Sequence, residues 1–150
     1  MSRVPDRGLV ENFLKRDGRL NRWRYFKRMF MLAVAEMLIL VVVLSIDLAG
    51  HNEISSLGVV VTRAISLAGL VPCLCLSMRR LHDMDKDERL AYVQFVISSL
   101  LTLSVDLHLP EAEPSFLETT LSIVNTVITV YIMLCPGTKG DNPHGPDPLE

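Results

Sequence analysis

Charge is scarce over more than half of this chain. Four windows, Met29–Ile46, Leu57–Met78, Leu90–Leu109 and Leu117–Cys135, cover 79 of 150 residues and hold four charged ones: Glu36, Arg63, Asp106 and Glu118. The other 71 residues hold 28. That segregation excludes a soluble globular domain, whose helices need a polar face, and a disordered chain, which lacks apolar runs. Cysteine is scarce too. Cys73, Cys75 and Cys135 all lie inside the apolar windows, which excludes a disulfide framework. The net charge is only −2, so there is no global basic field and nucleic acid is not an expected partner. No phosphate loop, nucleophile elbow or zinc-protease motif is present, so the residues give catalysis no support and no cofactor is expected.

What is present is four runs of membrane length. A bilayer core takes about 20 apolar residues as a helix. Barrel strands alternate and are about half as long, and lipid forbids an open sheet, so helix is the expected state. The spans fall at about 29–47, 57–78, 90–109 and 117–135. Twenty-eight mostly polar residues precede the first window, and no small-x-small site follows it. It therefore reads as a retained span and not as a cleaved leader.

Lysine and arginine alternate along the chain. Residues 1–28 contain nine, the first connection none, Arg79–Arg89 four, the Asp106–Phe116 connection none, and the tail one. The positive-inside rule then places both termini in the cytoplasm.

The polar segments carry local signals. Leu9, Val10, Phe13 and Leu14 form one apolar face of a short helix, and Asp17-Gly18 reads as a turn. Asn21 is a helix cap for the first span. Trp23, Tyr25 and Phe26 stand among arginines and lysines, as in an anchor at headgroup depth. Asp85 and Glu88 have capping-box spacing before the third span. Asp83, Asp85 and Asp87 have calcium-loop spacing, but Glu88 stands where that loop needs glycine and Gln94 where it needs glutamate. The segment Pro136–Glu150 has four prolines and three glycines, which exclude regular structure and favour ordered turns.

Four polar residues inside the windows are functional candidates: Glu36, Arg63, Gln94 and Asn125. Glu36 and Arg63 read either as a buried ion pair on a substrate path or as residues pairing and snorkelling towards opposite surfaces. Gln94, Ser98, Thr102 and Asp106 form one polar line, and Glu118, Ser122, Asn125 and Thr129 another. Thr62, Ser66, Gly69 and Cys73 form a line of small residues. Packing between helices is the commoner use of such lines, and a wet path the rarer one. His82, Asp83, His144 and Asp147 read as surface groups tying tail to loop in preference to metal ligands, so no metal is expected.

Three blocks carry a family resemblance: Gly18-Arg19-Leu20-Asn21-Arg22-Trp23-Arg24-Tyr25-Phe26, Arg79-Arg80-Leu81-His82-Asp83, and the run from Gly137-Thr138-Lys139-Gly140-Asp141-Asn142 to Pro143-His144-Gly145-Pro146-Asp147-Pro148. In this order they resemble the small bacterial inner-membrane proteins of the YhaH/YhaI type, a family of unknown function (DUF805). The resemblance covers about residues 12–148. It departs at Asp87-Glu88-Arg89, where the family has a small-glycine-tryptophan turn, and at His144, where tyrosine is usual. It implies a four-span membrane protein and no activity. The motif residues Arg19, Arg22, Arg79, Arg80, His82, Asp83, Gly140, Asn142, Gly145 and Pro146 become the cytoplasmic candidates.

The expected architecture is an all-α membrane protein in one domain, residues 1–150: four transmembrane helices in a bundle, a short cytoplasmic amphipathic helix within 1–28, and an extended Gly/Pro-rich cytoplasmic tail over 136–150. The expected role is that of a non-enzymatic accessory protein of the bacterial inner membrane, presenting Arg79–Asp83, the entry segment and the tail. Its partners would be the bilayer, anionic lipid at the cytoplasmic face, and a protein partner or a second copy of the chain. The alternative is an oligomeric transporter or channel component using Glu36 and Arg63.

Overall fold

The computed structural model describes residues 8–51, 54–104 and 115–148. Among them are five helices: α1 (Gly8–Phe13), α2 (Arg22–His51), α3 (Ser56–Asp83), α4 (Arg89–Ser104) and α5 (Phe116–Leu134). Among the described residues there is no strand, only an isolated bridge between Asn142 and Gly145.

Three helices, α2, α3 and α5, are long and apolar enough to cross a membrane. The fourth expected span is only partly seen. Its described helix, α4, has 16 residues, roughly 24 Å at 1.5 Å per residue, against a hydrocarbon core of about 30 Å. The last five residues expected in that span lie outside the described residues.

Residue chemistry sets the helix boundaries. Asn21 caps α2 as expected, its Oδ1 accepting the Arg24 N–H at 2.9 Å. Ser55 caps α3 by accepting the Gly58 N–H. Asp47, near the end of α2, holds that cap by accepting from the Ser55 N–H at 2.7 Å and its hydroxyl at 2.6 Å. Ser115 and Glu118 form a full capping box on α5, so Glu118 serves the helix start and not a polar line inside the span. The expected Asp85–Glu88 box on α4 is not formed. Asp87 accepts the Arg89 N–H at 2.8 Å instead. Asp85 takes φ +52°, a left-handed position in the tight α3–α4 turn that aspartate tolerates better than most residues.

α3 is the central element, packed against α1, α2, α4 and α5. It continues through Pro72, whose missing N–H falls on the turn that contains Gly69. The α2–α3 seam is close because glycine lines it. A Cβ at Gly58 would collide with the Asp47 carboxylate, and one at Gly69 would meet Glu36 Oε2 at 3.0 Å. The expected small-residue line thus contributes Gly69 to helix packing.

The buried core sits at one end. Leu20, Tyr25, Leu76, Met78, Leu81, Ala91 and Ile132 form a single cluster beneath the entry loop and the tail. Away from it, α2 exposes Phe30, Met31, Met37, Leu38, Val41 and Val42. Apolar side chains on the outside of long apolar helices are what lipid solvation produces.

Candidate functional site

Above that core, three chain segments meet: the loop before α2, the last turn of α3 and the tail after α5. Two arginines and one aspartate join them. Arg80 is fully buried, at 0% exposure. Its Nε donates to the Ile132 carbonyl at 3.1 Å and its Nη2 to the Cys135 carbonyl, which ties down the end of α5. Its Nη1 donates to Asp83 Oδ2 and, at 3.4 Å, to the Leu20 carbonyl. Helix C-termini leave carbonyls without intrahelical partners, and a planar guanidinium with five N–H groups suits them.

Arg19 completes the joint from the other side. Its Nε donates to Asp83 Oδ1 at 3.1 Å. Its Nη1 and Nη2 donate to the carbonyls of Gly140 and Thr138, each at 2.5 Å. Asp83 is therefore shared by two guanidiniums, and both its oxygens are occupied. Burial pushes the Asp83 carboxyl above its ordinary value, and the charges of Arg80 and Arg19 pull the other way. Burial likewise works against the charge on Arg80, which Asp83 supports. Such a pair is costly to break, because the remaining partner would be left charged and dry.

The tail fits this joint with backbone and small residues. Thr138 donates its N–H at 2.8 Å and its hydroxyl at 3.1 Å to the Asp83 carbonyl. Asn142 donates to the His82 carbonyl at 2.9 Å. Gly137 passes so close to Asp83 that a Cβ there would strike the carboxylate. Gly140 and Gly145 sit at φ +74° and +136°, the second a conformation open essentially only to glycine. Asp147 is buried and accepts the Gly140 N–H at 2.8 Å, which closes the tail on itself. Pro146 is exposed beside it.

His82 and His144 stack ring on ring at 4.2 Å, 5° from parallel. The tail aromatic position is thus filled by an imidazole that still stacks. Glu88 lies 3.7 Å from His82, and Asp85 lies 4.0 Å from His144. Burial, and next the neighbouring imidazole, hold the His82 pKa below its ordinary value. His82, Asp83, His144 and Asp147 do come together across loop and tail, but not as a ligand set. Two rings face each other and both carboxylates are engaged. Among the described residues no group of three His, Cys, Asp or Glu side chains is placed to hold a metal.

Two expectations need correction here. The Arg79–Asp83 block is not a surface offered to partners, because Arg79, Arg80 and Asp83 are buried in the joint. Arg79 turns towards α1 and donates to the Glu11 carbonyl at 3.2 Å. Tyr25 is not part of the exposed aromatic anchor. It is 1% exposed, and its hydroxyl lies 3.3 Å from Ser77 Oγ. Trp23, Phe26 and Phe30 form the outward stack instead, with centroids 5.7 and 6.3 Å apart, and Lys27 Nζ lies 5.0 Å from the Trp23 ring. Helical spacing puts residues 23, 26 and 30 on one face and 25 on another. Arg22 is exposed at the start of α2.

The polar candidates inside the windows divide in two. Gln94 and Asn125 join a ladder across helices: Ser77 donates to Gln94 at 3.2 Å, Gln94 to Thr129 at 2.9 Å, and Ser98 to Asn125 at 3.2 Å. Around this ladder lies a cavity of about 170 Å³, lined by Cys73, Ser77, Gln94, Ser98, Asn125 and Thr129 among others. Glu36 lies over Gly69. Arg63 stands six residues earlier on α3, roughly 9 Å along the axis.

Sequence reasoning passed over Gly137, Thr138, Ser77 and the buried role of Tyr25. Gly137 and Thr138 lay inside a quoted motif, but nothing in their residue types names Asp83 as their neighbour. A family model described as a protein of unknown function matches residues 13–146, which includes all three segments of the joint. No curated protein and no solved structure matches the chain.

Proposed function

The chain belongs to the DUF805 family, of unknown function, and from that premise we propose that it is a non-enzymatic accessory protein of the bacterial inner membrane. In this reading it has four spans, with both ends in the cytoplasm. The alternating lysine and arginine distribution supports the orientation. The observation that carries the role is the use made of the motif residues. Arg19, Arg80 and Asp83 are spent on holding backbone carbonyls of entry loop, α5 and tail together. They build a rigid cytoplasmic cap, whose outer surface is left to meet anionic lipid and a protein partner. That surface comprises the Trp23–Phe26–Phe30 stack with its flanking cations and the exposed turn at residues 85–87. Crosslinking in intact membranes from the turn and from the entry segment tests it. A defined lipid or protein adduct is expected at one of these places, and a clean absence of adducts from both contradicts it.

A second reading, an oligomeric transporter or channel component, is favoured by the ladder of Ser77, Gln94, Thr129, Ser98 and Asn125 that borders a largely apolar cavity among the helices. Four short helices seldom enclose a path alone, so it requires several copies. Glu36→Gln and Arg63→Gln variants without effect on flux or growth would remove it.

A further inference from the structure

A second cavity, of about 320 Å³, opens between the start of α2 and the tail. That volume sits at the small end of the range for small-molecule sites, about 300–1,000 Å³. We propose that it binds an anionic phosphate-ester group, supplied by the headgroup of a membrane lipid, between Arg22 on one wall and Lys139 on the other. The charges around it are unevenly used. Asp83 and Asp147 also line it, but Asp83 is taken by Arg19 and Arg80, and Asp147 accepts the Gly140 N–H. Among the described residues Arg22 and Lys139 have no ion-pair partner. Arg22 is also near enough to Arg80 for their charges to repel. An anion between Arg22, Arg80 and Lys139 relieves that repulsion, and a phosphate presents several oxygens to guanidinium and ammonium donors.

The position of the mouth favours a lipid as the source. Trp23 lines the cavity and begins the outward stack with Phe26 and Phe30. An aromatic stack running down from a cationic pocket places the phosphate at headgroup depth and the acyl chains along the rings. This inference rests on the membrane reading above. It is separate from the accessory role, which does not require this pocket.

The test is native mass spectrometry of the full-length protein in detergent, with added phosphatidylglycerol, phosphatidylcholine or soluble glycerol phosphate. One phosphatidylglycerol is expected to be retained in preference to phosphatidylcholine. The double variant Arg22→Gln/Lys139→Gln is expected to lose that retention at least about tenfold, because two charge-assisted contacts are removed together. Arg24→Gln, an exposed cation off the cavity, is expected to keep it. Retention of glycerol phosphate alone supports the phosphate site and assigns it a soluble ligand. Equal loss in Arg24→Gln, or full retention in the double variant, overturns the proposal. Thermal unfolding of the double variant is measured in parallel. An unchanged midpoint shows that the cap has survived, so that a binding result reads on the pocket alone.

Discussion

Two regions of this molecule place charge in opposite ways. Along the apolar windows, large hydrophobic side chains are exposed and charge is almost missing; at the cap, Arg80, Arg79, Arg19 and Asp83 are buried and hydrogen-bonded. The windows need only be apolar, because lipid solvates them and many sequences serve equally well. The cap needs particular donors at particular places, because three backbone segments with unsatisfied carbonyls must be joined beside a membrane. This is why the recognisable motifs lie in the connections and not in the spans. Charge buried on purpose is costly to disturb, whereas apolar exposure in lipid is permissive.

Removing the centre of the cap should have the largest effect. Arg80→Leu leaves Asp83 with one guanidinium and strips donors from three carbonyls. A loss of about 3–5 kcal/mol is expected, the cost of breaking a buried pair. It is read as a collapse of the unfolding midpoint in nanodiscs. Arg19→Ala should cost less, about 2–3 kcal/mol for charge-assisted bonds lost. Its signature is local: the tail after residue 136 becomes sensitive to protease while the spans stay folded. Gly137→Ala should follow at about 1–3 kcal/mol, because its methyl must displace the Asp83 carboxylate. By contrast, Val41→Ala or Leu38→Ala on the exposed face of α2 should leave the midpoint nearly unchanged, and a loss as large as that of Arg80→Leu would erase the contrast between the regions.

Acid should loosen the cap mildly. The His82 pKa is held below its ordinary value of 6.5, so the undocked state binds the proton more readily. Tail docking is then fully supported above 6.5 and weakens as the pH falls below it. The Gly18 backbone, Glu88 and Asp17 oppose the change by favouring charged imidazole at His82. Tail protease sensitivity against pH measures it, and His144→Phe, which keeps the stack without the second imidazole charge, should flatten the profile. A modest loss is expected between the helices within the membrane. Gln94→Leu removes two interhelical bonds, worth about 0.6 kcal/mol each in a bilayer.

The three long apolar helices were legible because lipid imposes a length and a composition that any sequence must show. Asn21 was legible because capping is local. The Asp87 cap was misplaced to Asp85 because only Asp85 has a glutamate three residues on, Glu88, whereas the chain makes a left-handed turn at Asp85 and leaves Asp87 to cap α4 without a box partner. The joint was only half legible. Arg19, Arg80, Asp83, Asn142, Gly140 and Gly145 could be named from motifs, but their partners lie as many as 126 positions away in the chain. No periodicity reports that Arg80 reaches the Ile132 carbonyl, or that Gly137 is small because Asp83 is there. The same motif arginines consequently read as a surface, when burial had made them a joint.

The most direct test of the cap is amide hydrogen exchange of the wild-type protein in lipid nanodiscs. Thr138, Gly140, Asn142 and Gly145 donate their N–H groups within the cap. All four amides should be protected well beyond random-coil rates, and Arg19→Ala should release them together while α3 stays protected. Tail amides exchanging freely in the wild type would show that the tail does not dock and that the buried arginines close no cap.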